Sequence, residues 1–375
     1  MATKILNPLC FLAFKKDSES SQLLLETNNR VTARKRKAST TQDSPRKRQR
    51  VANEPELKKA STEHIPATQT PGMTTPERGC DVLPSSIGPL GSKQHNQCSC
   101  FRGAASKADF EAEYLQLNRL AEGGFGSVYA GFRKTDNFPV AIKHIRQADV
   151  ERQPTVLNGV MCQVPIEVLL LLKVAGPESV GRTGVVSILD WYDLEQEVLV
   201  IMERPVPSVD LLNYLDINDG PLKEDMAKTI MRQLVEAAIQ IHSKGVFHRD
   251  IKPENVLIQT TSDGLRARVI DFGCGCISTR RPLHVFAGTT EYAPPEFDMY
   301  GSYKAGPTTV WQLGALLYEI TDGYKQFTTT LVLRKRIKFN KELSQDCLDF
   351  LQRCLAVNPK DRITLEKLLL HRWLA

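Results

Sequence analysis

The chain has 375 residues, of which 41% are hydrophobic and 25% are charged, so it can bury a large core and has room for about two domains. Its net charge of +6 is uneven along the sequence, and its nine cysteines have spacings that fit neither a zinc site nor a redox CxxC pair, which indicates reduced intracellular thiols. No apolar run approaches the length of a membrane span, so we expect no transmembrane helix.

Residues 1–108 differ in composition from the rest of the chain. They are rich in Ser, Thr, Pro, Gln and basic residues, and they have few long apolar runs. Such a segment cannot bury enough surface to offset the entropy lost on ordering, so we predict that it is disordered, with residues 84–106 as a linker. The short apolar stretch 5–14 is interpreted as non-targeting, because Pro8 interrupts it.

Two basic clusters lie in this segment, at residues 34–37 and 46–50. Their spacing is typical of a bipartite nuclear import signal, and the alternative is a solvated basic tail with weak affinity for nucleic acid or membranes. No aromatic residue is interleaved with the basic ones, so we expect no dedicated nucleic-acid site. The predicted localisation is the cytoplasm, the nucleus or both. Ser39, with arginine at −3 and −5, is a candidate phosphorylation site.

The ordered part is predicted to begin near Phe110. Residues 114–117 alternate between apolar and polar side chains, which indicates a strand. A glycine-rich turn follows at residues 121–126, between two strand-like runs. Glycines let a backbone approach phosphate groups closely because they lack a Cβ, and this hairpin setting differs from the strand-to-helix turn of a dinucleotide-binding fold. The stretch therefore predicts a loop that covers phosphates.

The next motif, VAIK at residues 140–143, predicts a strand that presents Lys143 on one face. An ammonium group there can hold the α- and β-phosphates of a nucleotide. Glu167 is the candidate ion-pair partner of Lys143, since its apolar neighbours suit a helix packed on a sheet. Residues 185–191 and 198–202 then predict two buried strands.

A long helical pattern at residues 223–244 leads to residues 248–255, which read HRDIKPEN. This octapeptide is typical of a loop that transfers phosphoryl groups, a reaction in which the protein mainly positions groups and stabilises charge. Asp250 would orient the proton of the attacking hydroxyl group, and Lys252 would stabilise charge on the transferred group. Asn255 would hold a Mg²⁺ ion.

Short strands are predicted at residues 256–258 and 268–270, directly before a DFG motif. Its Asp271 would bind Mg²⁺ that bridges the phosphates. Farther on, Trp311 is predicted to open a buried helix, and Arg362 is predicted to be the structural partner of Glu296.

In this order, these motifs resemble the eukaryotic protein kinase fold across residues 114–374. The resemblance implies an α+β, bilobal domain after the disordered region, with a small β-rich N-lobe at residues 110–204 and a larger helical C-lobe at residues 205–375. It also implies a serine/threonine kinase, from Lys252 and from the Gly-Thr pair at residues 288–289.

Further details resemble the Pim family of serine/threonine kinases. They are the run ERPVP at residues 203–207, Val310 where most kinases carry Asp, and the runs VPIE at residues 164–167 and LDWY at residues 189–192. This resemblance implies a monomeric enzyme that uses ATP and Mg²⁺, prefers basic protein substrates and is active without phosphorylation of its activation loop.

The resemblance also implies which residues contact ATP. They lie in the glycine-rich hairpin, on the strand of Lys143, at the lobe junction and in the C-lobe: Leu120, Ala121, Glu122, Gly123, Gly124, Phe125, Gly126, Val128, Ala141, Lys143, Glu167, Glu203, Leu257 and Ile270. At the junction, adenine normally binds two backbone groups, but Pro205 has no N–H. The carbonyl group of Glu203 is therefore expected to be the remaining contact.

The chain departs from the family pattern at Ala121, which replaces the first loop glycine and is expected to stiffen the turn. Residues 327–330 lack the acids that help the family select basic substrates, although Asp210 and Glu254 remain at acidic family positions. These two are the candidate substrate contacts, and a weaker or altered arginine preference is expected.

Acids are also missing directly before Gly288, where the family has them. Arg249 is therefore expected to need another anion, such as phosphorylated Ser278 or Thr279. The departures leave two functions open. One is an active serine/threonine kinase, and the other is a catalytically weak or inactive pseudokinase that acts as a nuclear binding or scaffold protein.

Overall fold

The computed structural model describes residues 106–375, apart from residues 125, 158 and 323–325. Of the region predicted to be disordered, residues 1–108, all but residues 106–108 lie outside the described residues. The basic clusters, the candidate phosphorylation site Ser39 and Phe125 also lie outside them. Within the described part of the chain, no helix is long and apolar enough to cross a membrane.

The N-lobe consists of a sheet, a separate hairpin and short helices. Its elements are α1 (Lys107–Glu113), β1 (Tyr114–Gly123), β2 (Gly126–Arg133), β3 (Phe138–Arg146), β4 (Arg152–Leu157), β5 (Val160–Pro165), α2 (Ile166–Val174), β6 (Ile188–Asp193) and β7 (Glu197–Glu203). Strands β1, β2, β3, β7 and β6 pair antiparallel in that order. Lys143 lies opposite Val128 on one neighbour and Val200 on the other, in the middle of the sheet.

Regular structure is present before the predicted start at Phe110, because a capping box at Ser106 starts helix α1 at Lys107. The side chain of Ser106 accepts from the N–H of Asp109, while the Asp109 carboxylate accepts from the N–H of Ser106. Such reciprocal bonds satisfy N–H groups that the first helical turn leaves unpaired. Helix α1 then buries Phe110 against Tyr192 of the sheet, with ring centroids 5.6 Å apart.

The β4–β5 hairpin is an element that the sequence analysis did not predict. Strands β4 and β5 pair only with each other, and the hairpin leads directly into α2. Arg152 at its start donates to the Asp193 carboxylate at the end of β6, over 2.7 Å. This bond joins the hairpin to the sheet and helps to fix where α2, the helix of Glu167, begins.

The C-lobe is mostly helical, with short strand pairs near its junction with the N-lobe. Its elements are β8 (Ser208–Asp210), α3 (Leu211–Ile217), α4 (Glu224–Ser243), β9 (Val246–Phe247), β10 (Val256–Thr261), β11 (Gly264–Val269), β12 (Cys276–Ile277), α5 (Pro295–Tyr300), α6 (Ala305–Asp322), α7 (Thr329–Leu333), α8 (Gln345–Cys354) and α9 (Leu365–Leu368). In the N-lobe, the strand predicted at residues 185–191 is β6, which starts later, at Ile188. Val185 before it forms an isolated bridge with Val269.

Helix α6 is the centre of the C-lobe, and it starts earlier than predicted. It begins at Ala305, so Trp311 lies within it and does not open it. Both Val310 and Trp311 are fully buried. A buried apolar side chain of this size stabilises a fold by roughly 1.5–3 kcal/mol, so α6 and the neighbouring α4 form a rigid support for the loops above them.

A buried ion pair connects the end of the activation segment to the last part of the chain, as the sequence predicted. The guanidinium group of Arg362 lies 3.0 and 2.8 Å from the two carboxylate oxygens of Glu296. It also donates to the carbonyl groups of Ala356 and Pro307, and it lies over the ring of Trp311. These contacts fix α5 on the C-lobe core.

Candidate active site

An ion-pair cluster joins the two lobes behind the cleft. Lys143 is buried on β3, and its Nζ lies 2.7 Å from Oε1 of Glu167 and 2.8 Å from Oδ1 of Asp271. Burial alone would lower the pKa of Lys143, but the two negative charges outweigh it and raise this pKa above its ordinary value. Lys143 is therefore protonated. Its contact with Glu167 is the predicted one, and its contact with Asp271 was not predicted.

Asp271 is held in an unusual backbone conformation. Its φ is 65°, in the left-handed region that few residues other than glycine adopt. Such strain costs about 1–3 kcal/mol and persists only where surrounding contacts impose it. Burial would raise the pKa of Asp271, but the charge and hydrogen bond of Lys143 lower it below its ordinary value. Asp271 is thus an ionised carboxylate at neutral pH.

Asn255 and Asp271 present oxygen atoms that suit Mg²⁺. The amide nitrogen of Asn255 donates to the carbonyl group and to Oδ2 of Asp250, over 2.8 and 3.0 Å, so its carbonyl oxygen is the atom left for a cation. The hydrogen bonds of Asp271 within the described residues use Oδ1 and leave Oδ2. Mg²⁺ usually binds one or two such protein groups together with substrate phosphates, so these residues fit the ion.

The catalytic loop and the activation segment meet at Asp250. Oδ1 of Asp250 accepts the N–H of Thr289 over 2.8 Å and its hydroxyl group over 2.7 Å. Nζ of Lys252 donates to the same hydroxyl group over 2.7 Å and lies 3.2 Å from Oδ2 of Asp250. This arrangement fixes the buried carboxylate and shows that a hydroxyl group can donate a hydrogen bond to it.

Gly288, next to Thr289, is a position that only glycine can fill. Its φ is 120°, and a Cβ there would collide with the carbonyl oxygen of Arg249. The close approach of the activation segment to the catalytic loop therefore depends on this glycine.

Arg249 has partners that sequence motifs could not show. Its Nε donates to the carbonyl group of Cys274, and its Nη2 donates to that of Gly275 over 3.2 Å. These two bonds use only part of the five N–H groups of the guanidinium, so the expected pairing of Arg249 with an anion stays a prediction. The candidate phosphorylation sites lie nearby, with Ser278 half-buried and Thr279 exposed.

Gln312 is a supporting residue that the sequence analysis missed. It is fully buried on α6, and its Nε2 donates to the carbonyl group of Arg249 over 2.6 Å. Its Oε1 accepts the N–H of Ile251 over 3.4 Å. Gln312 thus holds the backbone on both sides of Asp250. Val310, on the same helix, has no polar group that could do so. The only sequence signal was a polar residue within an apolar helical pattern.

The glycine-rich hairpin closes the top of the cleft. Leu120, Glu122, Gly123 and Gly124 are exposed at its end, and Val128 is half-buried. Ala121 pairs with Val128 in the β1–β2 ladder and is not among the residues with positive φ, so its methyl group causes no backbone strain. Gly126 differs, because its φ is 118° and a Cβ would collide with the carbonyl oxygen of His144.

Apolar side chains line the expected adenine side of the cleft from both lobes. Ala141 on β3, Leu257 on β10 and Ile270 after β11 are partly buried and pack against the main core. Glu203 ends β7 at the lobe junction, and its carboxylate accepts from Arg268 and from the N–H of Ser187. Pro205 follows, and its carbonyl group accepts the hydroxyl proton of Ser208 over 2.7 Å.

The two candidate substrate residues have different surroundings. The Asp210 carboxylate caps α3, since Oδ1 accepts the N–H of Asn213 over 2.8 Å. Glu254 is exposed in the turn after Lys252. Near it lies Glu319 of α6, which accepts from Tyr292 and from the N–H of Phe327. Burial raises the pKa of Glu319, and the negative charge of Glu254 raises it further. No sequence motif pointed to Glu319.

The sequence profile of the protein kinase domain matches residues 114–374, the part of the chain that forms both lobes. The chain belongs to the protein kinase family.

Curated relatives of this kinase are serine/threonine kinases. Serine/threonine-protein kinase pim-2 of Danio rerio is 38% identical over 283 residues, which cover 74% of this chain and 90% of the fish protein. Serine/threonine-protein kinase prk-2 of Caenorhabditis elegans is 33% identical over 269 residues, covering 70% of this chain and 58% of the worm protein. The predicted fold class and the predicted serine/threonine protein kinase function are thus confirmed.

Proposed function

We propose that this kinase is similar to the Pim kinases, acts as a monomer, and uses ATP and Mg²⁺ to phosphorylate Ser or Thr in basic protein substrates. The cluster of Asp250, Lys252 and Thr289 is the observation that carries the proposal of active transfer. The similarity to pim-2, Pro205 at the lobe junction and Val310 in α6 support the subfamily.

In this mechanism, Asp250 accepts the proton of the substrate hydroxyl group, as its carboxylate already accepts a hydroxyl group in the structure. Lys252 stabilises charge on the transferred phosphoryl group, and Lys143 holds the α- and β-phosphates. Mg²⁺, if bound by Asn255 and Asp271, would neutralise part of the negative charge of the phosphates.

The basic preference is proposed to come from Glu254 together with Glu319. These carboxylates are close enough for the charge of one to raise the pKa of the other, and a substrate guanidinium group would relieve that repulsion. Asp210 is a weaker candidate because its carboxylate already caps α3.

A peptide assay tests both parts of the proposal. We expect γ-phosphate transfer to an RxRxxS peptide, with kcat/KM falling about fivefold when Glu254→Gln removes one exposed charge. The loss should disappear with a peptide whose arginines are replaced by alanine. Asp271→Ala is the inactive control. Wild-type transfer no faster than this control would favour the binding or scaffold function instead.

We also propose that the basic clusters at residues 34–37 and 46–50 direct nuclear entry of this chain, on the basis of their spacing. Replacement of both clusters by alanine is expected to move a fluorescently tagged full-length protein from the nucleus to the cytoplasm. An Arg232→Ala protein, which loses one exposed cation on α4, is the control. An unchanged distribution after replacement of both clusters would contradict the proposal.

A further inference from the structure

A cavity of about 290 Å³ lies in the C-lobe between α4, β11 and the loop before β6. Its polar lining comes from Arg182, Gln233, Glu236, Gln240, Arg266 and Arg268. We call it the arginine cavity. It contains none of the residues assigned above to catalysis or to ATP. One water takes up roughly 30 Å³ in the liquid, so the arginine cavity has room for a polyatomic ion together with water.

Arg268 is the deepest cation of the arginine cavity, and its hydrogen bonds are incomplete. It is almost fully buried, and its Nη2 donates to the carboxylate of Glu203 and to the carbonyl group of Val185. Its Nε, however, has no hydrogen-bond partner within the described residues. A buried N–H group without a partner costs about 1–3 kcal/mol, more if it is charged. The Nε atom is closed off from solvent, so a ligand in the cavity would be attracted by the charge of Arg268 without contacting this N–H group.

Arg266 adds a second positive charge beside Arg268. The two residues are two positions apart on β11, so their side chains leave the strand on the same face. Burial lowers the pKa of Arg268, and the positive charge of Arg266 lowers it further, against the opposing effect of Glu203. The two guanidinium groups therefore repel one another, and an anion between them would remove that repulsion.

Arg182 supplies a further cation at the exposed edge of the cavity. It has no ion pair within the part of the chain that the structure describes. Glu236 is exposed on the α4 side and is the acidic group in the lining. The lining is thus cationic on balance, and planar guanidinium groups match the oxygen geometry of phosphate better than a single ammonium group does.

We propose that the arginine cavity is a binding site for a phosphate group, which Arg182 and Arg266 contact and which the positive charge of buried Arg268 attracts. The site does not depend on phosphoryl transfer, since none of these residues belongs to the catalytic cluster. Arg268, in the lining of the site, donates a hydrogen bond to Glu203 at the junction of the lobes. One side chain therefore connects the site to that junction.

Calorimetric titration of the full-length protein with inorganic phosphate tests the proposal, with Mg·ADP present to fill the nucleotide site. Because a hydrogen bond to a charged group contributes about 1.5–3 kcal/mol, Arg182→Ala and Arg266→Ala are each expected to weaken binding about tenfold or more. Glu236→Gln should strengthen binding roughly threefold, because it removes a repelling charge. Arg232→Ala, an exposed α4 residue outside the cavity, is the matched control and should change nothing.

A second arm distinguishes the sources of the phosphate group. It compares inorganic phosphate with a phosphoserine peptide and with the same peptide unphosphorylated. Preference for the phosphopeptide would assign the site to a phosphorylated protein segment, and binding of inorganic phosphate alone would assign it to the free ion. Equal phosphate affinity in the wild-type, Arg182→Ala and Arg266→Ala proteins, or no binding by the wild type, would overturn the proposal. Because Arg182 and Glu236 are exposed, their substitution can test both a loss and a gain of phosphate affinity without disturbing the core.

Discussion

Replacement of Asp250 by Asn is expected to lower kcat by about 10²–10⁴-fold, the range for removal of a catalytic acid or base. An amide has the shape of the carboxylate, and its oxygen can still accept from Thr289, so the loop backbone should keep its conformation although the bond from Asn255 to Oδ2 is lost. It cannot take up the proton of the substrate hydroxyl group. Because Asp250 is not assigned to nucleotide binding, the KM for ATP should change little. Steady-state transfer to a peptide at varied ATP concentration measures both quantities.

Asp263→Asn is the matched control for this experiment. Asp263 is exposed in the turn between β10 and β11, and its carboxylate contacts only near neighbours, such as Ser262. The same chemical change there should leave kcat unchanged. A loss below about tenfold in the Asp250→Asn protein, with unfolding temperature unchanged, would mean that Asp250 does not accept the proton in the rate-limiting step.

Arg362→Ala is expected to destabilise the folded protein by about 3–5 kcal/mol, the cost of removing one member of a buried ion pair. The substitution leaves the Glu296 carboxylate buried without its counter-ion, and it also removes donors from the carbonyl groups of Ala356 and Pro307. Denaturant unfolding, followed by intrinsic fluorescence, measures the change in the transition midpoint.

Arg353→Ala separates this effect from the general loss of an arginine. Arg353 pairs with Asp349 on α8 at a comparable distance of 3.0 Å, but its side chain is 56% exposed. An exposed pair of this kind contributes about 0–1 kcal/mol, so the midpoint should hardly move. Equal destabilisation by the two substitutions would show that burial of the Glu296–Arg362 pair is not what makes it important.

The sequence could indicate the candidate catalytic residues because the spacing within each motif is local. Within HRDIKPEN, and again within DFG, the residues lie a few positions apart, and chemistry limits which types can fill them. Simple alternation predicted that β3 presents Lys143 on one face, but its register between Val128 and Val200 became visible only in the folded chain. Helix boundaries were less predictable. A capping box moved the start of α1 ahead of Phe110, and an early start of α6 placed Trp311 within the helix.

The contacts that support the site could not be predicted, because they join residues far apart in the chain. Gln312 and Arg249 are 63 positions apart, and no local pattern indicates that a buried amide on α6 holds the catalytic loop. Arg249 was expected to need an anion because acids are missing directly before Gly288, and this stays a prediction. Its bonds to the backbone carbonyl groups of Cys274 and Gly275 leave no sequence signature, so they became visible only in the folded chain. The arginine cavity has the same origin, in side chains brought together by packing.

Pro205 also has a consequence for inhibitors of this enzyme. Many adenine-like compounds present a donor and an acceptor side by side to a kinase, and the acceptor needs a backbone N–H that a proline lacks. The carbonyl group of Pro205 is moreover engaged by Ser208. A compound that only donates to the Glu203 carbonyl group, and places apolar atoms beside Pro205, leaves no acceptor unsatisfied here. In a kinase with a residue other than proline at this position, the backbone N–H would be left without an acceptor when such a compound binds. The compound should therefore prefer the kinase that has Pro205.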